Sequence, residues 1–465
     1  MGKQQMIDTE RVKRIALSMM TRVPLYVFFP DGAYRDYLAI QYLNRVSKDQ
    51  IPGYLSRAGR MPTFRYSTMA MALDALEEAG DPRAIRLAAE QILAANPEMP
   101  ESYLALSDIA TRAGRYTEGL AQARKAWLLN PRSSRAAASV VRLGYITGQD
   151  EHADLDAVVA LRRFPRSKAL LWLACKYCRT REQLTRIIEV ARPSPANSKV
   201  ISGLVRPLAA AALRARCLDV ALELYLEASV IELSGEGLGT PVATKSLAGK
   251  GGRRVLQSLR EVLDAEGIPF FFAAGTALGL VRNGAPLDHD NDIDVGIFES
   301  QWDRERLVRL FTEHPDFDLD DANPDSPKVG IVHREGASID LFKFYREGDG
   351  VFHDAIFVRW KNSPFSIEQR VLEHGDVVYL PSDVDRYLAE NYGDWRTPNK
   401  GFDAFVDGPN VEVTWPEYMV VHRARRAYGF IRATNLMAAR RELDAIRDKL
   451  PSSIFGRQLA GEMRL

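Results

Sequence analysis

The stretch Asn283 to Phe298, NGAPLDHDNDIDVGIF, carries aspartates on alternate positions, Asp288, Asp290, Asp292 and Asp294, and the last two bracket an isoleucine in what otherwise reads as a buried strand. Period-two alternation sets Asp292 and Asp294 on one side of that strand and Ile293, Val295 and Ile297 on the other. The apolar side can pack into a core. The acidic side gathers like charge, which costs stability unless a cation or a shared proton relieves it. The pattern therefore points to metal. An EF-hand counted from Asp288 fails at its sixth position, where the sharp turn needs glycine and the chain has Ile293.

Around this strand the pattern is that of a mixed domain. A helix, RRVLQSLREVLDAEG, ends at Gly267; the apolar run IPFFFAA reads as a strand and meets Gly275–Thr276; a helical stretch, ALGLVRNG, follows before the acidic strand. Past a further helical stretch after Gln301, VGIVH-REGA-SIDLFKF and LFKFYREGDGVFHDAIFVRW read as two hairpins, with turn residues where tight turns want them. Asp340 lies inside SIDLFKF, flanked by apolar residues. Two carboxylates on one strand and one on another are thus expected to converge. A glycine and a hydroxyl residue at a strand-to-helix turn, an aspartate pair and a third carboxylate together follow the logic of a nucleotidyltransferase-type site. Glycine lets backbone approach a phosphate, the helix start offers N–H groups, paired aspartates hold magnesium, and a third carboxylate serves a second ion or the attacking hydroxyl.

The first half is decided by self-similarity. Pro97, Pro131 and Pro165 lie 34 residues apart, as do Gly80, Gly114 and Gly148, and Ala89, Ala123 and Ala157. That period belongs to the tetratricopeptide repeat, and Tyr103 to Pro131 resembles one whole helix-turn-helix unit. After Pro165 the period is expected to fail, with degenerate helices closing the solenoid. Such repeats present a surface to a protein partner or enlarge a neighbouring domain. Cys175 and Cys178 form a lone CxxC without a second ligand pair, read here as two core cysteines of a helix. The GKGG at Gly249 to Gly252 is no phosphate loop, because Thr244 and Gly251 stand where the motif needs glycine and a hydroxyl residue.

Bulk properties bound the rest. With 465 residues the chain is expected to hold two or three domains, and 46% hydrophobic and 26% charged residues describe a globular protein. Lys plus Arg (62) balances Asp plus Glu (61), which gives no overall field for nucleic acid. Three cysteines suit a reducing compartment. The amino-terminal run VPLYVFF is short and is followed at once by Pro30, so a signal peptide is not expected and a cytoplasmic location is. A carboxy-terminal helix rich in arginine (Arg423, Arg425, Arg426, Arg432, Arg440, Arg441, Arg447) is a candidate for peripheral contact with an anionic membrane, weighed against a plain solvated face.

Two separated stretches carry a family resemblance. FFFAAGTALGLVRNGAPLDHDNDIDVGIF resembles the signature of the LicD family, which includes the fukutin-like proteins, and LPSDVDRYLAENYGDWRTP, Leu380 to Pro398, is similar to that family's later pattern. The resemblance covers roughly Arg253 to Phe405. It implies a nucleotidyltransferase-like fold and transfer of a phosphorylated alcohol, phosphocholine or an alditol phosphate, from a CDP-linked donor to a sugar hydroxyl of a glycan. Carried over, Asp292 and Asp294 would ligate Mg2+ or Mn2+, with Asp290 an addition; Gly275 and Thr276 would meet the donor phosphates; Arg282 and Lys343 would be substrate-binding; Asp340 would be the third, catalytic carboxylate. The Tyr392 to Trp395 run is expected to pack the domain's end. Asp288–His289 stands where the family has Pro-Trp, and Asn291 replaces a frequent acid, which changes the wall beside the site; His289 is a candidate proton carrier.

The expected architecture is multidomain: an all-α tetratricopeptide-like solenoid followed by an α+β nucleotidyltransferase-like domain. Its parts are a helical segment over 1–79, repeats over 80–233, a linker over 234–252, the transferase domain over 253–413 and a basic helical tail over 414–465. Two other functions compete: attack on the α-phosphorus of a nucleoside triphosphate, and a repeat scaffold carrying a relic domain.

Overall fold

The computed structural model describes residues 33–62, 65–192, 198–235, 251–287, 292–321, 326–372, 375–399 and 401–463. The chain divides into two compact units between Leu224 and Tyr225. The first is all helix and the second is built on a mixed sheet, as the sequence leads one to expect.

In the first unit, helices α1 (Ala33–Val46) and α2 (Ile51–Ala58) precede four helix pairs. These are α3 (Tyr66–Ala79) with α4 (Pro82–Ala95), α5 (Pro100–Arg112) with α6 (Tyr116–Leu129), α7 (Ser134–Ile146) with α8 (Asp150–Arg163), and α9 (Lys168–Tyr177) with α10 (Arg181–Ala191). Tyr66, Pro100, Ser134 and Lys168 open the first helices of the pairs, each 34 residues after the last. The first pair therefore begins before Gly80, and the period runs one helix past Pro165. It slips only at α10, because α9 stops at a Cys178 cap and Thr180 starts the next helix with a capping box. Gly80, Gly114 and Gly148 follow the first helix of successive pairs at φ of +80°, +71° and +71°, a left-handed turn that side chains strain to adopt. Ala89, Ala123 and Ala157 are buried, which lets paired helices approach. Cys175 closes the buried side of α9, and all three cysteines are free and buried. Burial pushes the Cys175 thiol up to about 12 and the Cys178 thiol up to about 11, so neither is a reactive thiolate. Helix α11 (Ser198–Arg214) follows, and the division between the units falls within the next helix, α12 (Leu218–Leu233).

In the second unit, α13 (Gly252–Ala265) leads to the short strand β1 (Phe271–Phe272), which turns directly into α14 (Ala274–Asn283). Next come β2 (Asp292–Phe298), α15 (Arg304–Glu313), β3 (Phe317–Asp321), β4 (Lys328–His333), β5 (Ser338–Glu347), β6 (Gly350–Asp354) and β7 (Val358–Asn362). A separate hairpin, β8 (Ile367–Val371) with β9 (Val377–Pro381), is followed by α16 (Val384–Tyr392) and β10 (Val411–Val413). Strand β5 is the hub. It runs parallel to β2 along Ser338–Phe344, antiparallel to β4 along Ser338–Phe342, and antiparallel to β6 from Phe344 onward. Both expected hairpins are present. The run IPFFFAA pairs only through Phe271 and Phe272, since the chain leaves the sheet for α14 at Ala274.

The apolar side of β2, Ile293, Val295 and Ile297, is fully buried with Ile339 and Leu341 of β5. On the other side Asp292 and Asp294 give way to Gly296, against which the Phe271 ring lies, and a cluster of Phe271, Phe298, Phe344 and Phe365 fills that half. Gly279 in α14 lets the return segment cross the helix, because a Cβ there would stand 2.8 Å from the Ala285 carbonyl oxygen and the Leu287 nitrogen. One end of the face is thus acidic and the other is a packed aromatic core.

The tail belongs to this unit rather than standing apart from it. Helix α17 (Pro416–Arg432) buries Tyr418, Val421, His422, Ala424 and Tyr428, and the Tyr418 ring stacks on Phe357 at 4.6 Å. Helices α18 (Leu436–Asp444) and α19 (Ile454–Met463) complete the chain. Its arginines are largely engaged: Arg423 and Arg426 with Glu442 at 2.9 and 3.3 Å, Arg432 with Glu232 at 3.6 Å, Arg440 and Arg447 with Asp444. These pairs take up part of the tail's basic charge. No described helix is long and apolar enough to cross a membrane.

Candidate active site

Strands β2 and β5 build the site by register. Their parallel pairing sets Asp294 beside Asp340 and Asp292 beside Ser338, so all three aspartates point from one sheet face. Their carboxylates offer oxygens that all lie within 4.8 Å of one another. The donor set fits a hard divalent cation, which takes carboxylate oxygens, and among the described residues no thiolate or imidazole joins the group. Burial pushes the Asp340 carboxyl up; the neighbouring charges of Asp292 and Asp320 add to the rise and Lys328 opposes it.

The start of α14 holds Asp294 in place. The Gly275 N–H donates to Asp294 Oδ2 at 3.2 Å, the Asp294 N–H donates to Thr276 Oγ1 at 2.8 Å, and the Ala273 N–H donates to the Asp294 carbonyl at 2.9 Å. Ala274, between them, takes φ of +40°, a left-handed conformation that costs on the order of 1 kcal/mol or more for a residue with a Cβ. Its N–H donates to the hydroxyl oxygen of Tyr387, on α16, at 3.2 Å. The phenol is fully buried, and burial raises its pKa. A strained turn is thus braced from an element far along the chain.

The expected site residues divide accordingly. Asp292, Asp294, Asp340 and Gly275 come together. Thr276 is buried and supports the Asp294 backbone instead of presenting a hydroxyl to phosphates. Arg282, at the far end of α14, donates to the Trp395 carbonyl at 3.3 Å and ties the helix to the Tyr392–Trp395 segment, whose Trp395 packs into the core. Lys343 does not join the site. Being opposite Ile297, it lies on the other face of the sheet, where it pairs with exposed Glu299 at 3.2 Å. It lies three positions after Asp340, an odd offset, so strand parity already carried that signal. Asp290 and His289 lie outside the described residues.

Two residues escaped sequence reasoning. Lys328 opens β4 and its ammonium forms an ion pair with Asp340. In the antiparallel register Gly330 sits opposite Asp340 and Lys328 opposite Phe342, so the hairpin, extended to its first residue, puts Lys328 on the acidic face. Tyr387 is the other: it lies in the Leu380–Pro398 stretch that resembles the family's later pattern, but nothing local tied it to the site.

Residues 267–374 match the family model described as "LicD/FKTN/FKRP, nucleotidyltransferase domain". The chain carries a LicD-type domain. The LicD match takes in the three aspartates, the start of α14 and Lys328, but ends before Tyr387. The chain is also similar to the ribitol-5-phosphate transferase FKTN of Mus musculus, 27% identical over 177 residues. It is similar to that of Homo sapiens too, 26% identical over 180 residues. Each alignment covers 36% of this chain and 38% of the relative, so the chain spans less than half the length of the curated relatives it matches. Outside the LicD-type domain the helix pairs rest on their own geometry and period.

Proposed function

We propose that this protein is a metal-dependent transferase that moves a phosphorylated alcohol from a CDP-linked donor to a sugar hydroxyl of a glycan. The observation that carries the reading is the convergence of Asp292, Asp294 and Asp340 beside the start of α14 in a LicD-type domain. Similarity to ribitol-5-phosphate transferases favours an alditol phosphate over phosphocholine as the group moved. Asp292 and Asp294 would hold Mg2+ or Mn2+, with Asp290 as an additional ligand. The ion would supply charge neutralisation at the phosphate oxygens.

The chain's own groups do the rest. The acceptor hydroxyl oxygen attacks the donor phosphorus that bears the alcohol, a new P–O bond forms, and the bond to the leaving cytidine monophosphate breaks. Asp340, on the same face beside Asp294, orients that hydroxyl and takes its proton. The Gly275 N–H and the α14 dipole favour negative charge at the site. The helix pairs would present a surface to a protein partner, and a reducing cytoplasmic setting suits three free, buried cysteines.

The test is mass spectrometry of products after incubating the full chain and Mg2+ with CDP-alcohols, nucleoside triphosphates and cell-envelope glycan extract, with an Asp292→Asn, Asp294→Asn double variant as blank. Release of cytidine monophosphate by the parent alone is the expected result. Pyrophosphate from a triphosphate would move the attack to the α-phosphorus, and silence from every donor together with no metal binding would leave a scaffold.

A further inference from the structure

Three carboxylates within 4.8 Å repel one another, and the protein supplies a counter-charge to one of them, Asp340. The Lys328 ammonium pairs with Asp340, whose side chain is 13% exposed, while the Lys328 side chain remains 33% exposed and passes the Phe342 ring at 5.9 Å. Its backbone is fixed: Arg304 Nη1 donates to the Ser326 carbonyl at 3.3 Å and to the Lys328 carbonyl at 3.0 Å. The strand start is therefore anchored, and the long stem above it has room to turn.

Resting on the transferase reading, we propose that Lys328 is a built-in counter-cation. A divalent ion arriving at Asp292, Asp294 and Asp340 displaces the ammonium from Asp340, and the displaced ammonium then binds the phosphates of the donor. The physical reason is competition for one carboxylate. An ion sharing Asp340 would stand beside a like charge, so metal entry and release of the lysine are coupled. The released group is a compact cation on a flexible stem at the site's edge, fit to meet phosphate as a point charge.

The experiment is an Mn2+ titration of the full chain, without nucleotide, followed by the electron paramagnetic resonance of free Mn2+. Lys328→Met is expected to bind Mn2+ about tenfold more tightly than the parent, Lys328→Arg to show no such gain, and Asp340→Asn to bind more weakly. With saturating Mn2+, Lys328→Met is expected to bind cytidine diphosphate about tenfold more weakly, which an ion pair of purely structural role would not produce. Unchanged or weaker Mn2+ binding in Lys328→Met overturns the proposal. If that variant does not fold, Lys328→Gln carries the same expectation. Should the parent bind Mn2+ and Asp292→Asn lose it while Lys328→Met behaves as the parent, this inference fails and the transferase reading stands. Should the parent bind no Mn2+, both fail.

Discussion

The helix pairs and the LicD-type domain store their information differently. In the helix pairs each residue answers to neighbours at a fixed spacing: a glycine ends one helix, an alanine admits its partner, and the same text returns 34 residues later. In the LicD-type domain the site gathers Gly275, Asp294, Lys328, Asp340 and Tyr387 from separate elements. A change in the first should cost stability near where it is made. In the second, a change far along the chain should reach the chemistry.

The largest expected effect is at the carboxylates. Asp294→Asn should lower transfer by on the order of a thousandfold while shifting the unfolding midpoint little, since the group is partly exposed and its work is electrostatic. Assays of cytidine monophosphate release beside calorimetry check it, and a matching loss of stability would break the contrast between the two regions. Next comes Gly144→Val. Even a Cβ at Gly144 would stand 2.9 Å from the Ala153 Cβ, so overpacking should cost about 1–3 kcal/mol, read as a lower melting transition with Mn2+ binding untouched.

Tyr387→Phe sharpens the comparison from the other side. It removes the acceptor of the Ala274 N–H and should cost about 1–2 kcal/mol of stability. It should also weaken Mn2+ binding, although Tyr387 lies outside the LicD match, and unaltered metal affinity would mean the brace is not coupled to the site.

A smaller effect separates the regions by pH. His353 is buried between Phe344 and Trp360, with ring centroids 4.4 and 4.7 Å away, and burial lowers its pKa to about 3. The folded state therefore holds the neutral ring while the unfolded state takes up a proton below about pH 6.5. Stability from this residue is complete above that pH and falls between it and about pH 3, by about 1 kcal/mol over the first full unit. Denaturant unfolding of the parent and of His353→Phe at pH 7 and 5.5 checks the sign: the variant should lose less. Smallest of all, Lys343→Ala should leave activity unchanged and stability within about 0.5 kcal/mol, because its pair with Glu299 is exposed and on the other face.

How much of this was legible follows from the range of each signal. The helix pairs could be read because a helix buries residues at local spacings, so periodicity survives in the text. The slip at α10 was not, since it depends on where α9 caps. The acidic pair could be read because strand parity is local too. The same parity, counted to Lys343, would have removed it from the site, and hairpin register, counted back from Asp340 to Lys328, would have added a cation. In the arginine-rich tail the pairs of Arg440 and Arg447 with Asp444 are local in sequence, whereas that of Arg432 with Glu232 could not be read from the text because Glu232 lies far along the chain.

By itself, then, the sequence determined the repeating helices, the strand that carries Asp292 and Asp294, the hairpins around Asp340 and the kinship with LicD-type domains. These are set by short-range sterics and alternation. Tertiary structure alone decided that Asp340 stands beside Asp294, that Thr276 supports the Asp294 backbone, and that Tyr387 braces a strained turn. Pairing register and long-range burial fix those contacts, and neither is written in any single window of the chain.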